Sequence, residues 1–436
     1  MKELWCEHAW LGDERAEGGV LIALDGERIM SVEPRTSAPA GAERLHGLTL
    51  PGLANAHSHA FQRALRGRTH AGEGSFWTWR EQMYRLAGSI DPDGYLRLAR
   101  ATFGEMALAG ITVVGEFHYL HHGPGGVPYS DPNAMGHAVL QAASEAGIRI
   151  ALIDACYLHG GFGQEPDEVQ KRFSDGDAAA WAERVSALEH PHVGAAIHSV
   201  RAVDPDSARV VADWTAERSA PLHAHVSEQP AENDGCLAAH GLSPTALLAS
   251  VDALSERFTA VHATHLTDVD VDLLGNAGVT CCLCPTTERD LADGIGPARR
   301  LRDAGARLSV GSDSHAVIDV LEEARAIELD ERLATGIRGN HTAVQLLTAA
   351  TSDGYRCLGF ENGGRIEPGA LADLTTISLD SVRMAGTDPM HIIESALFAA
   401  TGPDVQHVMV GGRFIVRDGA HVDLDVPREL AMAVKR

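Results

Sequence analysis

Residues 193–228 read VGAAIHSV, then RAVDPDSARVVADWTAERS, then APLHAHVSE. The two outer pieces are short runs without alternation of apolar and polar residues, the pattern of strands buried on both faces of a sheet. Between them, the segment after Asp206 carries apolar residues at helical spacing. A strand, a helix and another strand of this kind make a parallel unit with its own crossover.

The same unit recurs in both directions along the chain. Apolar runs begin at Leu48 (LTLPGLANAH), Ile111 (ITVVGEFH), Ile148 (IRIALIDACY), Val193, Ala220, Thr259 (TAVHATHL), Val279 (VTCCLCP) and Arg307 (RLSVGSD). Ser243-Pro244 opens a helix over TALLASVDALSER, and Pro297 opens another that stops at Gly305. Eight strands with helical connections close most economically as a (β/α)8 TIM-type barrel, whose reactive residues stand at the C-terminal ends of the strands. The two ends of the chain read differently. GGVLIALDGERIMSV from Gly18 and VQHVMVGGRFIVRDGAHV from Val405 alternate strand residues with glycine turns. They predict a small β-sandwich domain built from both chain termini, residues 1–49 and 367–436, around a barrel over 50–366. The connection from Arg63 to Asp93, which carries FWTWREQMYR, is too long for a plain first loop and reads as an inserted active-site loop or lid.

Composition narrows the function classes. With 36 Lys and Arg against 60 Asp and Glu, the formal charge of -24 repels a phosphate backbone, and no basic run offsets it. No 18-residue apolar stretch occurs, and Glu3, Glu7, Asp13 and Glu14 stand where a secretory signal needs an apolar core. We therefore expect a cytoplasmic protein with no nucleic-acid or membrane partner, and from base rates a homodimer. Seven cysteines in 436 residues are odd in number and sparse, so reduced thiols are expected, with Cys281, Cys282 and Cys284 as small core residues.

Twenty-three histidines against three lysines point to metal chemistry. His57 and His59 in NAHSHAF lie two apart at a strand end, where both side chains can share one cation. Chance alone gives about one such pair in a chain of this composition. The chain has three, counting His190 with His192 and His223 with His225. His190-Pro191-His192 precedes a strand, at the opposite barrel end, and reads as a surface turn. The first pair gains weight from its company: His225 and Glu228 in HAHVSE, His262 in VHATH and Asp313 in GSDSH, each at the end of a later run. Three imidazoles and a carboxylate around an open position suit a divalent metal and a water whose pKa falls towards ~7. Glu228, one turn beyond His225, is placed to take a proton from that water.

PGLANAHSH, HAHVSE, VHATH and GSDSH resemble the amidohydrolase superfamily in its deaminase-type branch, and PGALADL from Pro368 to Leu374 resembles its β-domain return. The resemblance spans nearly the whole chain. It implies that His57, His59, His225 and Asp313 hold the metal, Asp313 counting also among the catalytic groups. It implies that Glu228 shuttles protons and that His262 stabilises the hydrated intermediate. Binuclear branches bridge two metals with a carbamylated lysine, whereas the only internal lysine here, Lys171, sits in the polar EPDEVQKRFSDGD. One metal per chain is therefore expected, Zn2+ in the first place, with Fe2+ accepting the same donors.

A second set, AHSHAFQRAL, SFWTWREQMYR, EFHYLHH, IHSVRAV, HVSEQ, VHATH and DLADGI, resembles the members of this branch that act on formimidoyl derivatives of a dicarboxylic amino acid. This implies a small-molecule dianionic substrate, a hydrolytic deimination that releases ammonia, and substrate contacts from Gln62, Arg80, Tyr119, His198 and Arg201. Arginine suits the task because its fork matches a carboxylate. Read alone, Arg80 beside Trp77 and Trp79 equally fits surface stacking, and His118, His121 and His122 fit loop hydrogen bonds, outside the metal set. The rival enzyme is a deaminase of an amino-substituted heterocycle, purine, pterin or triazine, which calls for aromatic or apolar walls. A metal-binding scaffold without activity is disfavoured by the presence of Glu228 and His262. Two departures stand in TTERDLADGI, with Asp290 in place of an expected Asn and Ala292 in place of a Gly. A carboxylate at 290 would oppose a dianionic ligand.

Overall fold

The computed structural model describes residues 2–70 and 76–434, including every side chain of these except those of Phe76 and Trp77. Eight strands form one parallel sheet in chain order: β1 (Leu53–Ser58), β2 (Ile111–His118), β3 (Arg149–Cys156), β4 (Val193–Ile197), β5 (Leu222–Val226), β6 (Phe258–His262), β7 (Thr280–Leu283) and β8 (Arg307–Val310). The sheet closes where Ser58 bridges Asp313 in parallel. There Asp313 N–H donates to His57 O at 3.0 Å and His59 N–H donates to Asp313 O at 3.1 Å. Gly311 permits this closure, since a Cβ at that position would lie 2.7 Å from the His57 Cβ.

The strands are buried along almost their whole length, as their unbroken apolar runs predict. The helices start on the expected signals with small shifts. Asp204, two residues before Asp206, caps the helix Pro205–Arg218 by accepting from Ser207 N–H, with proline at its first position. Ser243 caps Pro244–Ser250 in the same way, but this helix stops short of the VDALSER run, where Asp252 turns left-handed, at φ 59°. The run from Leu48 is two strands in place of one. Leu48 to Pro51 completes a strand of the outer sheet (Glu43–Pro51), and β1 begins after Gly52, whose backbone packs directly against Thr112.

The outer sheet is mixed and draws on both ends of the chain. Its order is Ala420–His421, Arg413–Arg417, Val405–Val410, Leu374–Ile377, Glu43–Pro51, Lys2–Ala9, Glu17–Asp25 and Arg28–Glu33, with Lys2–Ala9 parallel to Glu43–Pro51. Leu4, Val20, Ile22, Leu24, Met409 and Phe414 are among the residues of a small core of its own, separate from the barrel core. The C-terminal region also contributes helices, Ile392–Ala399 and Val426–Ala433, which pack against the barrel helices Val320–Thr335 and Pro92–Leu108. No helix among the described residues is long and apolar enough to cross a membrane.

Candidate active site

His57 and His59 stand at the end of β1, His225 in β5 and Asp313 just beyond β8, and one donor atom from each lies within 4.8 Å of all the others. Asp313 Oδ1 is 3.1 Å from His57 Nε2 and 3.3 Å from His59 Nε2, and the Nε2 atoms of His57 and His225 are 3.2 Å apart. The outer nitrogens explain the inner ones. His59 Nδ1 faces Phe117 O at 2.9 Å and His225 Nδ1 faces His198 O at 2.9 Å. A carbonyl only accepts, so both rings carry their proton on Nδ1 and turn an Nε2 lone pair inward. Lone pairs that converge this closely, beside a carboxylate, fit a divalent transition metal. Burial pushes His57 down to about 3 and also lowers His59 and His225. Burial opposes the Asp313 carboxylate, but the hydrogen bond with His57 and the positive charge of His262 outweigh it and hold Asp313 below its usual range. Neutral imidazoles and an ionised carboxylate are the ligating forms.

Glu228 and His262 face this cluster from the ends of β5 and β6. His262 Nε2 is 3.9 Å from Glu228 Oε1, and its Nδ1 is 3.5 Å from Glu288 Oε1. Burial works against a charged His262 ring, yet Glu228, Glu288 and Asp313 together raise it to about 10. The backbone turns left-handed where these side chains must project, with φ of 51° at Ser227, 67° at His262 and 40° at Asp313. Such conformations cost of order 1–2 kcal/mol each and persist where the surrounding structure over-determines them.

All the sequence-predicted site residues except the fully buried His57 line one cleft. Gln62 Nε2 donates to Tyr119 Oη at 3.0 Å. His198 sits edge-on to Tyr157, with ring centres 4.6 Å apart, and burial followed by the Arg201 charge lowers it well below the usual histidine range. Arg201 reaches towards Glu228 at 3.6 Å and towards the buried Glu232 at 3.9 Å. Arg80 Nε donates to Tyr84 Oη at 2.7 Å, its guanidinium lies over that ring, and it lines the cleft. The aromatic walls of Trp79, Tyr84, Tyr157 and Phe173 were not anticipated. Helical spacing could have found part of them, because Trp79, Arg80, Met83 and Tyr84 share one face of the helix Phe76–Ala87. Glu232, four residues beyond Glu228, carried no signal separating it from a solvated helix start.

Other singled-out residues lie elsewhere. Asp290 does not line the cleft; it pairs with His70 of the 63–93 insertion, so its carboxylate is committed away from a dianionic ligand. Ala292 takes the left-handed position that ends the helix Pro285–Leu291, at φ 59°. Residues 71–75 of the insertion lie outside the described residues, as do Lys435 and the Trp77 side chain. Lys171 pairs with Glu168 at 2.5 Å, away from the cleft. His192 stacks on Phe360 and His223 faces Cys357 O, so neither pair containing them forms a second cluster like the first. All seven cysteines are free and buried, and burial pushes Cys281 up to about 12.

A barrel carrying this His-x-His, His and Asp set defines a class, and the amidohydrolase family model matches residues 48–415: the chain belongs to the amidohydrolase family. Among curated relatives it is 37% identical over 417 residues to formimidoylglutamate deiminase of Pseudomonas aeruginosa, covering 92% of this chain and 91% of that protein. It is 30% identical over 396 residues to 5-methylthioadenosine/S-adenosylhomocysteine deaminase of Natronomonas pharaonis, covering 89% and 85% respectively. The crystal structure of an amidohydrolase from Brucella melitensis superposes with a TM-score of 0.92 at 31% identity, over 100% of this chain and 99% of that one.

Proposed function

We propose that this hydrolytic deaminase converts N-formimidoyl-L-glutamate and water to N-formyl-L-glutamate and ammonia, a reaction of histidine degradation. The observation that carries the reading is the pair of guanidiniums, Arg80 and Arg201, lining the same cleft as the His57, His59, His225 and Asp313 cluster. An acyclic substrate with two carboxylates at one end and a formimidoyl group at the other matches that polarity. The similarity to the Pseudomonas aeruginosa deiminase points the same way.

In this reading His57, His59, His225 and Asp313 hold one zinc ion, and iron(II) would meet the same donors. When bound, the cation supplies Lewis acidity that brings water close to deprotonation near neutral pH. Glu228 takes a proton from the water that adds to the formimidoyl carbon and delivers it to the terminal nitrogen. The carbon–nitrogen bond to that nitrogen then breaks as Glu228 relays the proton of the new hydroxyl to it, so that ammonia leaves and the carbonyl of the formyl group remains. His262 Nε2 donates to the oxygen on the tetrahedral carbon, with Glu288 behind its other nitrogen. Arg201, Arg80 and His198 hold the carboxylates, and Gln62 and Tyr119 fill the side next to His59.

A second reading rests on a specific observation: Trp79, Tyr84, Tyr157 and Phe173 give the cleft the flat walls a heterocycle needs. Purine-nucleoside deaminase relatives favour it too. An ammonia-release assay of metal-analysed protein separates the two, with formimidoylglutamate, a formimidoyl compound lacking one carboxylate, and amino-heterocycles as substrates. Arg201→Met should lower kcat/KM on formimidoylglutamate by roughly 10- to 100-fold, and far less on the truncated compound. Turnover of a heterocycle with none of formimidoylglutamate would transfer the assignment to the second reading. The cytoplasmic and homodimeric expectations belong to the same proposal, and sedimentation of the purified protein tests the latter.

A further inference from the structure

His315 ends the GSDSH motif and does not line the cleft. It is fully buried and stands two residues beyond Asp313, at the closure of the barrel between β1 and β8. Its Nε2 is 3.1 Å from Ser58 Oγ and its Nδ1 is 3.0 Å from Ser312 Oγ. Ser58 lies between His57 and His59, and Ser312 lies beside Asp313. The ring thus ties together the residues flanking three of the four metal-binding candidates.

Hydrogen-bond accounting gives the tie a direction. Ser58 Oγ donates its one proton to Glu116 Oε2 at 2.6 Å, so it must accept from His315 Nε2–H. Ser312 Oγ accepts from Asn55 Nδ2 at 2.7 Å and therefore has its own proton free for His315 Nδ1. Ser312 N–H donates to Asn55 Oδ1 at 2.9 Å, which fixes the orientation of that amide. The result is one chain with every proton placed: Asn55 to Ser312 to His315 to Ser58 to Glu116. Glu116 Oε1 also accepts Ala60 N–H at 2.7 Å and Tyr95 O–H at 3.2 Å, which pins the far end to β2 and to the helix Pro92–Leu108. Reversing the chain would leave the Ser312 proton without an acceptor, so a neutral ring with its proton on Nε2 is the arrangement that satisfies all members.

We propose that His315 is a positioning residue that sets the separation between the His57, His59 pair and Asp313, and so the affinity and geometry of the metal site. The inference rests on the reading that these residues hold a metal. Hydrogen-bonded partners of ligands tune metal affinity by 10- to 100-fold, and here the partners act one step further back, through the backbone on either side of the ligands. His315→Phe keeps a ring of similar size but breaks both links. Ser312→Ala removes one link with a smaller change in volume and serves if the first variant folds poorly.

The measurements are the rate and extent of zinc removal from purified holoprotein by a chelator, and the visible absorption of the Co2+-loaded protein. Thermal midpoints are taken alongside, with Val203→Ala as a core control away from the seam. We expect about 10- to 100-fold weaker zinc retention in His315→Phe, about 10-fold in Ser312→Ala, and a shifted cobalt spectrum in both. The control should lose thermal stability without either change. Zinc retention and a cobalt spectrum equal to wild type, whatever the thermal midpoint, would overturn the positioning role. A wild-type protein that binds neither zinc nor cobalt would overturn the metal reading itself, an outcome distinct from equal affinities in wild type and variants.

Discussion

Among the described residues, two buried clusters contain histidines and an aspartate with donor atoms within 4.8 Å of one another: His57, His59, His225 and Asp313, and separately His118, His121 and Asp154. The difference between them lies in what the outer atoms are bound to. In the first, backbone carbonyls take the Nδ1 protons of His59 and His225 and leave lone pairs facing a carboxylate that pairs with no arginine or lysine among the described residues. In the second, the carboxylate is already spent. Asp154 accepts from Arg184 at 2.8 and 3.0 Å and from Trp181 Nε1 at 3.0 Å, while Arg184 also binds Asp175 at 2.8 and 3.0 Å. His121 faces Ala155 O at 2.9 Å. A guanidinium occupies the position of charge that a metal would take, so residue type and proximity alone do not make a site.

The largest expected effect tests that contrast directly. His225→Ala should abolish tight metal retention and activity together, whereas His121→Asn should leave the metal content at wild-type level and change kcat/KM by only about threefold, since it affects packing and not ligation. Elemental analysis after dialysis decides it, and metal loss in His121→Asn would break the distinction between open and closed clusters. Next in size, Glu228→Gln should retain the metal and lose turnover by roughly a hundredfold or more, because an amide cannot accept the proton of the attacking water. Near-normal steady-state turnover in that variant would demote Glu228 to a partner of Arg201.

The closed cluster has a signature of its own in acid. Burial, with the neighbouring His121, lowers His118 to about 3, and burial, with the Arg184 charge, lowers His121 to about 4, both from 6.5. A histidine with a lowered folded value contributes stability that is complete above the unfolded value and is lost as the pH falls towards the folded one. Each ring therefore steepens the acid side of the stability curve between about pH 6.5 and 4, by about 1.4 kcal/mol per pH unit for each proton. Denaturant melts of wild type and of a His118→Gln, His121→Gln double variant across that window should differ in slope, the variant being flatter whatever its stability at neutral pH. Identical slopes would mean that the two rings are protonated in the folded protein.

The barrel was legible because strands buried on both faces lose all alternation, and because helix starts carry Asp, Ser and Pro in their capping positions. The split at Gly52 was not, since an apolar run does not reveal that its two halves belong to different sheets. Metal-binding candidates were legible through motif spacing at strand ends, which the backbone itself enforces. The aromatic walls were hidden for the opposite reason: Tyr157 and Phe173 come from the connection after β3 and Tyr84 from the one after β1, and only the folded chain brings them together. The direction of Asp290 was equally unreadable, because its partner His70 lies 220 residues away.

The smallest effect concerns the backbone. The open cluster stands on a rim where Asp313 and His262 have left-handed φ, while His118, His121 and Asp154 have ordinary backbone. If the rim tolerates this conformation because particular side chains must project there, a residue sharing the conformation without such a side chain should be relievable. Ala292 is one such residue: it closes the helix Pro285–Leu291 at φ 59° and ψ 39°, and it does not line the cleft. Ala292→Gly removes the contact between Cβ and carbonyl that disfavours this region, worth about 1–2 kcal/mol, and adds back about 0.5–1 kcal/mol of unfolded-chain entropy. The expected net is a stabilisation of about 0.5–1 kcal/mol, seen as a higher denaturant midpoint, with kcat/KM unchanged. A destabilised Ala292→Gly, or a stabilised one with impaired turnover, would show that the turn after β7 is held in place for the reaction as the strand ends are.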